Sequence, residues 1–108
     1  MERIISKELL SEVLGYEVEE VKDVMDSTLY FNNTKHGDYI NIYELAHKCK
    51  EWLRSNGFMI TIFYHLDTIA VNISFDGSDV YWTPSMTVYT ELDAITKACQ
   101  WILDNKDQ

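Results

Sequence analysis

The sequence predicts an α+β domain in which helices pack on antiparallel strands, and three observations lead to that prediction. Residues 41–57 have apolar side chains at helical spacing between two capping signals. Residues 58–75 instead alternate apolar and polar side chains with a period of two. The links between neighbouring predicted strands are short, which favours antiparallel pairing. The expected order is helix, β-hairpin, helix, three-stranded antiparallel meander and helix, in a single domain over residues 1–108.

The central helix is the element that the sequence defines best. Asn41 is suited to cap its first turn, Glu44 completes a capping box, and Asn56-Gly57 is a typical helix end. Between these signals an apolar residue recurs every three or four positions, at Ile42, Leu45, Ala46, Cys49, Trp52 and Leu53. We expect this stripe to face the core.

The chain before the central helix predicts a short helix and a hairpin. Ser6 is suited to cap a helix over 7–14. The β-branched and aromatic content of 16–25 favours a strand, Asp26-Ser27 favours a turn, and 28–32 is the expected returning strand. The polar segment that follows, 33–38, contains a glycine and is predicted to be a loop.

The chain after the central helix predicts three strands and a last helix. Residues 58–66 and 69–75 alternate cleanly, and a third strand is expected from Val80 to Thr83 after a turn. Pro84 places that third strand at an edge of the sheet or ends it. Thr90 is suited to cap the last helix, whose apolar stripe contains Leu92, Ile95, Ala98, Cys99, Ile102 and Leu103.

Composition limits the classes of function. The net charge of −9 argues against direct binding to nucleic acid, whose backbone is itself densely negative. Neither an apolar run of membrane-spanning length nor a signal peptide can be recognised in the sequence, so we expect no membrane association and a cytoplasmic location. Both cysteines lie on predicted helix stripes, where small buried side chains are expected.

The sequence contains no recognisable catalytic, metal-binding or cofactor-binding signature, so we expect a protein that is not an enzyme and needs no cofactor. His36 and Asp38 in the predicted loop provide too few ligands for a zinc site.

Two surface features remain as candidate partner-binding sites. The first is the acidic hairpin, with Glu17, Glu19, Glu20, Asp23 and Asp26. It is either a solvated strand face or a carboxylate array that imitates nucleic-acid phosphates and occupies a basic groove of another protein. The second is the outer face of the meander, with Met59, Phe63 and Tyr81. Either a helix, such as the first one, covers this face, or it is a contact for a partner or a second copy.

Two segments resemble the small phage and prophage proteins grouped as a phage α-β-α sandwich domain. They are YELAHKCKEWLRSNGF at 43–58 and ELDAITKACQWIL at 91–103, which match that group's helix running into a strand and its alanine-rich last helix. The acidic N-terminal hairpin departs from the group. The resemblance implies a phage or mobile-element origin and implies no activity.

These observations predict a non-enzymatic accessory protein of the phage or prophage type that acts by binding another protein. One specific version is an acidic inhibitor of a host nucleic-acid-handling or defence protein. The alternative is a small homo-oligomeric structural module, such as a homodimer, that associates through the edge strand near 80–83 and has no separate ligand.

Overall fold

The structure, a computed structural model, describes residues 5–64, 66, 69–82 and 91–105. Its helices and strands follow one another in an order that confirms the predicted α+β class. The helices are α1 (Lys7–Leu14), α2 (Ile42–Ser55) and α3 (Glu91–Asn105). The strands are β1 (Val18–Met25), β2 (Thr28–Asn33), β3 (Gly37–Asn41), β4 (Phe58–Tyr64), β5 (Ile69–Phe75) and β6 (Ser78–Trp82).

The first two helices begin where their capping residues predict. Ser6 Oγ accepts a hydrogen bond from the Leu9 N–H at 3.1 Å, and Gly15 ends α1 with φ of 82°. Asn41 Oδ1 accepts from the Tyr43 N–H at 2.8 Å. A side-chain oxygen at the cap satisfies a backbone donor that has no partner within the helix, which makes these helix starts readable in sequence.

The first sheet has three strands, in the order β1-β2-β3, where the sequence predicted a two-stranded hairpin. The prediction of a loop over 33–38 is wrong at both ends, because Asn33 belongs to β2 and Gly37 and Asp38 begin β3, which confines the turn to 34–36. Ile40 is the one buried residue of β3 and pairs with Leu29. A strand that buries a single apolar side chain shows no alternation for a sequence pattern to reveal.

Two irregularities in β1 set which of its side chains face the core. Val18 pairs with Asn33, Val21 with Phe31 and Val24 with Leu29, with register shifts between these pairs. The extra residues make every third side chain of β1 point inward instead of every second. Val18 and Val21 are therefore buried and Val24 half-buried, while the residues between them face solvent.

The second sheet has the order β4-β5-β6, and β4 and β5 pair without interruption from Phe58↔Phe75 to Tyr64↔Ile69. The predicted turn at 76–79 is shorter in the structure, since β6 begins at Ser78. The Pro84 strand end and the Thr90 cap lie outside the described residues.

The helices join the two sheets into one core. Helix α1 contacts β1, α2 contacts β3 and β4, and α3 contacts β5, while the three helices also contact one another. The buried apolar cluster draws on both sheets and all three helices, with Phe31, Leu9, Leu10, Leu29, Leu45, Leu53, Ile73 and Ile95 as its largest fully buried members. Cys49 and Cys99 belong to the same cluster, as their helix positions predicted.

Candidate protein-binding surface

The acidic residues predicted as a partner-binding site all lie at the surface. Glu17, Glu19, Glu20, Asp23 and Asp26 are exposed, and β1, which carries most of them, is an edge strand of the first sheet. Glu19 and Asp23 fall at the register shifts, where a strand gains residues that the partner strand does not match. The backbone irregularity thus presents carboxylates to solvent without disturbing the inward-facing valines.

Part of this acidic strand forms one wall of an open groove of about 960 Å³. Glu17 and Glu19 line it together with acidic residues from α1 and from the end of α3, namely Glu8, Glu12 and Asp104. Lys7 is the one base among the described residues that line it. Sequence reasoning placed the first two acids in a site and missed the other three, because residues so far apart in the chain meet only through tertiary packing.

Hydrogen bonds hold the walls of this groove together. The Val18 N–H donates to Ser11 Oγ at 2.9 Å, which ties β1 to α1. Ser6 Oγ donates to Gln100 Oε1 at 2.5 Å, which ties α1 to α3. Gln100 Nε2 in turn donates to the Asp104 carboxylate at 2.8 Å. The carboxylates therefore stand on elements whose relative positions are set by direct contacts.

Two tyrosines lie beside the acidic strand on the solvent face of the first sheet. Tyr30 and Tyr39 are a cross-strand pair with ring centroids 6.3 Å apart, and Tyr39 is 68% exposed. Glu20 shares their face, since its carboxylate accepts a hydrogen bond at 3.2 Å from Asn32, two residues after Tyr30. Exposed tyrosines are frequent in protein interfaces, because they offer a large rigid surface with a hydroxyl at its edge. Because β3 was not predicted from the sequence, the pairing of Tyr30 with Tyr39 was not predicted either.

The outer face of the second sheet also exposes apolar side chains. Met59 is 73% exposed and Phe63 is 41% exposed. The first helix does not account for this face, because α1 packs on β1 and on the other helices. The backbone of Tyr81 pairs with Ile73, and its side chain lies outside the described part of the structure. The two described members of the predicted site are thus at the surface of the second sheet, whereas most of the acidic residues lie on the first.

A charged network joins three elements where α2 approaches the start of α3. Lys50 Nζ lies 2.8 Å from Glu91 Oε1, and the Tyr64 hydroxyl donates to Glu91 Oε2 at 3.0 Å. The hydrogen bond from Lys50 lowers the pKa of Glu91, because it stabilises the carboxylate. The hydrogen bond to the Glu91 carboxylate raises the pKa of Tyr64. Both carboxylate oxygens of Glu91 are therefore hydrogen-bonded, and these contacts connect α2, β4 and α3.

The described cysteines and histidines make only pairwise contacts with other potential ligands or with backbone carbonyl oxygens. Cys99 Sγ is 3.7 Å from the Cys49 carbonyl oxygen, and hydrogen bonding with Cys49 together with burial raises the pKa of Cys99. A buried protonated thiol is a poor nucleophile. His47 lies 3.1 Å from Glu51, while His36 contacts the Gly37 carbonyl oxygen at 2.8 Å. Within the described ranges, no three His, Cys, Asp or Glu side chains are grouped as metal ligands would be.

No helix among the described residues is long and apolar enough to cross a membrane. Comparison of the chain with protein-family models, with curated proteins and with solved structures finds no match.

Proposed function

We propose that this protein is a non-enzymatic accessory protein of the phage or prophage type, which acts by binding a basic region of another protein. The binding surface is the acidic groove together with the exposed face of β1. The observation that carries the proposal is the convergence of carboxylates from α1, β1 and α3 around one open groove, with Lys7 as the one base on its described walls.

Charge complementarity is the first support for this proposal. Carboxylates that crowd one groove raise the local negative potential, which attracts basic partners and accelerates their association. The same potential repels nucleic acid, so the partner of the groove is a basic protein surface. The net charge of −9 extends this field over the whole molecule.

The irregular backbone of β1 favours contact with a partner through side chains over pairing with another strand. An edge strand with two register shifts and several carboxylates is a poor template for another strand, because the shifts break its row of backbone donors and acceptors. A partner that docks here therefore meets the carboxylates and tyrosines, which favours a folded basic surface or a charged segment over strand addition.

One specific version of the proposal is inhibition of a host nucleic-acid-handling or defence protein. In this version the carboxylates of the groove occupy the sites at which the host protein binds phosphates. The resemblance of segments 43–58 and 91–103 to phage proteins supports a phage or prophage origin. Competition between this protein and duplex DNA for such a host enzyme would test the version directly.

The proposal is tested by binding of a labelled heptapeptide of lysine and arginine with a central alanine, measured by fluorescence anisotropy at increasing salt. We expect binding that weakens as salt rises, since exposed charges are screened. The double variant Glu17→Lys/Glu19→Lys should bind roughly tenfold more weakly, because it places like charges opposite the peptide.

The matched control is Glu51→Lys/Asp79→Lys, which changes the net charge by the same amount at exposed positions outside the groove. If both double variants lose affinity equally, net charge rather than the groove governs binding. Binding that does not respond to salt would contradict the proposal.

A second candidate function is a homo-oligomeric structural module that associates through β6. The strand order leaves Ser78–Trp82 at an edge of the second sheet, and Met59 and Phe63 are exposed on that sheet. Sedimentation velocity at two concentrations separates the candidates. A dimer that persists in high salt favours the module, while a monomer at both concentrations favours binding to a different protein.

A further inference from the structure

Four strands lie at the edges of the two sheets, and one of them differs from the other three. In the described part of the chain the edges are β1 and β3 of the first sheet and β4 and β6 of the second. Strand β1 has two register shifts and several carboxylates, while β3 and β6 have five residues each and contain Asp38 and Asp79. Shortness, charge and bulges all discourage an edge strand from pairing with another chain.

Strand β4 has none of these protective features. Its seven residues, FMITIFY, contain no charged side chain, no glycine and no proline. It pairs with β5 from Phe58 to Tyr64 without a register shift, so the backbone donors and acceptors on its outer side form a regular row. A regular apolar edge strand of this kind is a template for pairing with another strand.

The side chains of β4 are only partly covered within one copy of the protein. Ile60 and Ile62 pack against the core but remain half-buried. On the other face, Met59 is 73% exposed and Phe63 is 41% exposed. A strand added beside β4 would cover apolar surface on both faces of the sheet, and burial of apolar surface favours association.

The sequence of β4 is complementary to itself in antiparallel orientation. When Thr61 lies opposite Thr61 of a second copy on a twofold axis, Met59 lies opposite Phe63 of that copy. Ile60 then lies opposite Ile62 of the second copy. Each pair joins side chains from the same face of the sheet, since side chains alternate along a strand. Apolar residues therefore meet apolar residues on both faces.

The absence of charge on β4 indicates which partner this edge accepts. A basic partner finds no carboxylate on the strand, and Glu91, which accepts a hydrogen bond from the Tyr64 hydroxyl, is already paired with Lys50. Two copies with a net charge of −9 each repel one another wherever acidic surfaces meet. Contact through an uncharged strand avoids that repulsion at the interface, which favours a second copy as the occupant.

We infer that two copies of this protein pair through β4, antiparallel and with Thr61 on the twofold axis, so that their two three-stranded second sheets form one sheet of six strands. This inference goes beyond the proposed function, because β4 contributes no residue to the acidic groove. A dimer formed through β4 therefore carries two acidic grooves. A salt-resistant dimer supports the β6 module only when an alteration of β6 dissociates it.

Sedimentation velocity at several protein concentrations tests the inference. We expect a dimer that persists in high salt, since backbone hydrogen bonds and apolar contacts are not ion pairs that salt would screen. Thr61→Lys should weaken the dimer at least roughly tenfold, because it places two ammonium groups opposite each other. Thr61 is exposed, so the circular dichroism of the variant should match that of the unmodified protein.

The matched control is Ser78→Lys, which adds the same side chain at an exposed position of the other edge strand, β6. It should leave the dimer intact. Both substitutions make the net charge less negative by the same amount, which reduces repulsion between copies. Loss of the dimer in Thr61→Lys therefore cannot result from the change in net charge.

A cysteine at position 61 tests the register. Paired residues of antiparallel strands have their Cα atoms about 4.5–5.5 Å apart, which suits a disulfide. Oxidised glutathione should therefore cross-link Thr61→Cys between two copies, with release of two molecules of reduced glutathione. Ser78→Cys measures the rate at which exposed thiols react through random encounters, and Thr61→Cys should react at least roughly tenfold faster.

Three outcomes would overturn the inference. They are a monomer at every concentration, a dimer that Thr61→Lys leaves intact, and equal cross-linking rates for the two cysteine variants. Binding of the basic heptapeptide to the same samples provides a separate readout. Its loss would contradict the proposed function and leave the β4 dimer standing, because the groove and β4 are formed by different residues.

Discussion

The two sheets are similar in how they pack against the helices and differ in the side chains on their solvent-exposed faces. Each has three antiparallel strands and buries one face against helices. On the solvent face, the first sheet exposes Glu20, Tyr30 and Tyr39, while β4 of the second exposes Met59 and Phe63. The core requires only one face of each sheet, and the two outer faces therefore differ in the chemistry that they expose.

The backbone explains why the charge is concentrated on the first sheet. Uninterrupted pairing of β4 with β5 makes half-buried and exposed residues alternate from Phe58 to Phe63, so about every second residue of this part of β4 faces solvent. The register shifts in β1 instead leave two solvent-facing residues between Val18 and Val21, and two between Val21 and Val24. A bulged strand therefore presents more polar side chains per buried one than a regular strand does.

The largest expected effect tests whether the two sheets share one interior. Replacing Phe31 by alanine should lower the free energy of unfolding by about 3–5 kcal/mol, because a fully buried aromatic ring leaves a cavity. Ile73→Ala in the second sheet should cost about 2–5 kcal/mol for the same reason. Urea denaturation measures both, with Tyr30→Ala, at a half-exposed neighbour of Phe31, as the control that should cost much less. A loss below about 1 kcal/mol for Phe31→Ala would show that the first sheet is not part of the core.

A smaller effect is expected at the junction between the sheets. Asn41 ends β3 and caps α2, so Asn41→Ala should reduce the free energy of unfolding by about 1 kcal/mol through the loss of its bonds to the first turn. Asn41→Ser retains a capping oxygen, so its free energy of unfolding should be close to that of the unmodified protein. Thermal denaturation of the three proteins measures the difference, and equal losses for alanine and serine would assign the effect to β3 rather than to the cap.

The Lys50–Glu91 pair predicts a pH dependence that is confined to the α2–α3 contact. Because the pKa of Glu91 is lowered in the folded state, its contribution is present above its ordinary value of 4.5 and is lost as the pH falls through the folded value. Glu91→Gln should therefore reduce stability by less than about 1 kcal/mol at pH 7, since the pair is partly exposed. As the pH falls through the folded pKa of Glu91, the variant should approach the unmodified protein in urea denaturation. A difference that grows towards acid pH would contradict this assignment.

The smallest expected effect concerns the cost of concentrating charge on the first sheet. Glu17→Gln/Glu19→Gln should raise the free energy of unfolding by a few tenths of a kcal/mol at low salt, since it relieves repulsion between neighbouring carboxylates. The gain should vanish near 1 M salt, where the screening length is about 3 Å. A stability loss at low salt would mean that the carboxylates support the fold instead of serving recognition.

Local signals in the sequence account for the parts of the fold that could be predicted. Ser6, Gly15 and Asn41 mark helix ends through hydrogen bonds and backbone angles that involve only neighbouring residues. The alternation of β4 follows from its one half-buried face, and the inward positions of Cys49 and Cys99 follow from helical spacing. The alternation predicted for β5 is only partly correct, because Ala70 is buried beside Val71 and Phe75 is exposed.

The parts that could not be predicted depend on contacts between distant segments. Strand β3 is held mainly by its pairing with β2, and only Ile40 carries a pattern signal. The acidic groove needs Glu8 and Asp104 to meet Glu17, although they lie on different elements. A cleft of about 430 Å³ lies between Ala46 of α2 and Leu92 of α3 because the two helices approach each other there, which their separate apolar stripes do not specify.

Because Cys49 and Cys99 are buried between α2 and α3, their reactivity can be used to measure the transient separation of these two helices. Both thiols are inaccessible in the closed molecule. An alkylating reagent can therefore reach them only during moments when the two helices separate. The labelling rate, followed by mass spectrometry, would give the opening equilibrium of this helix pair.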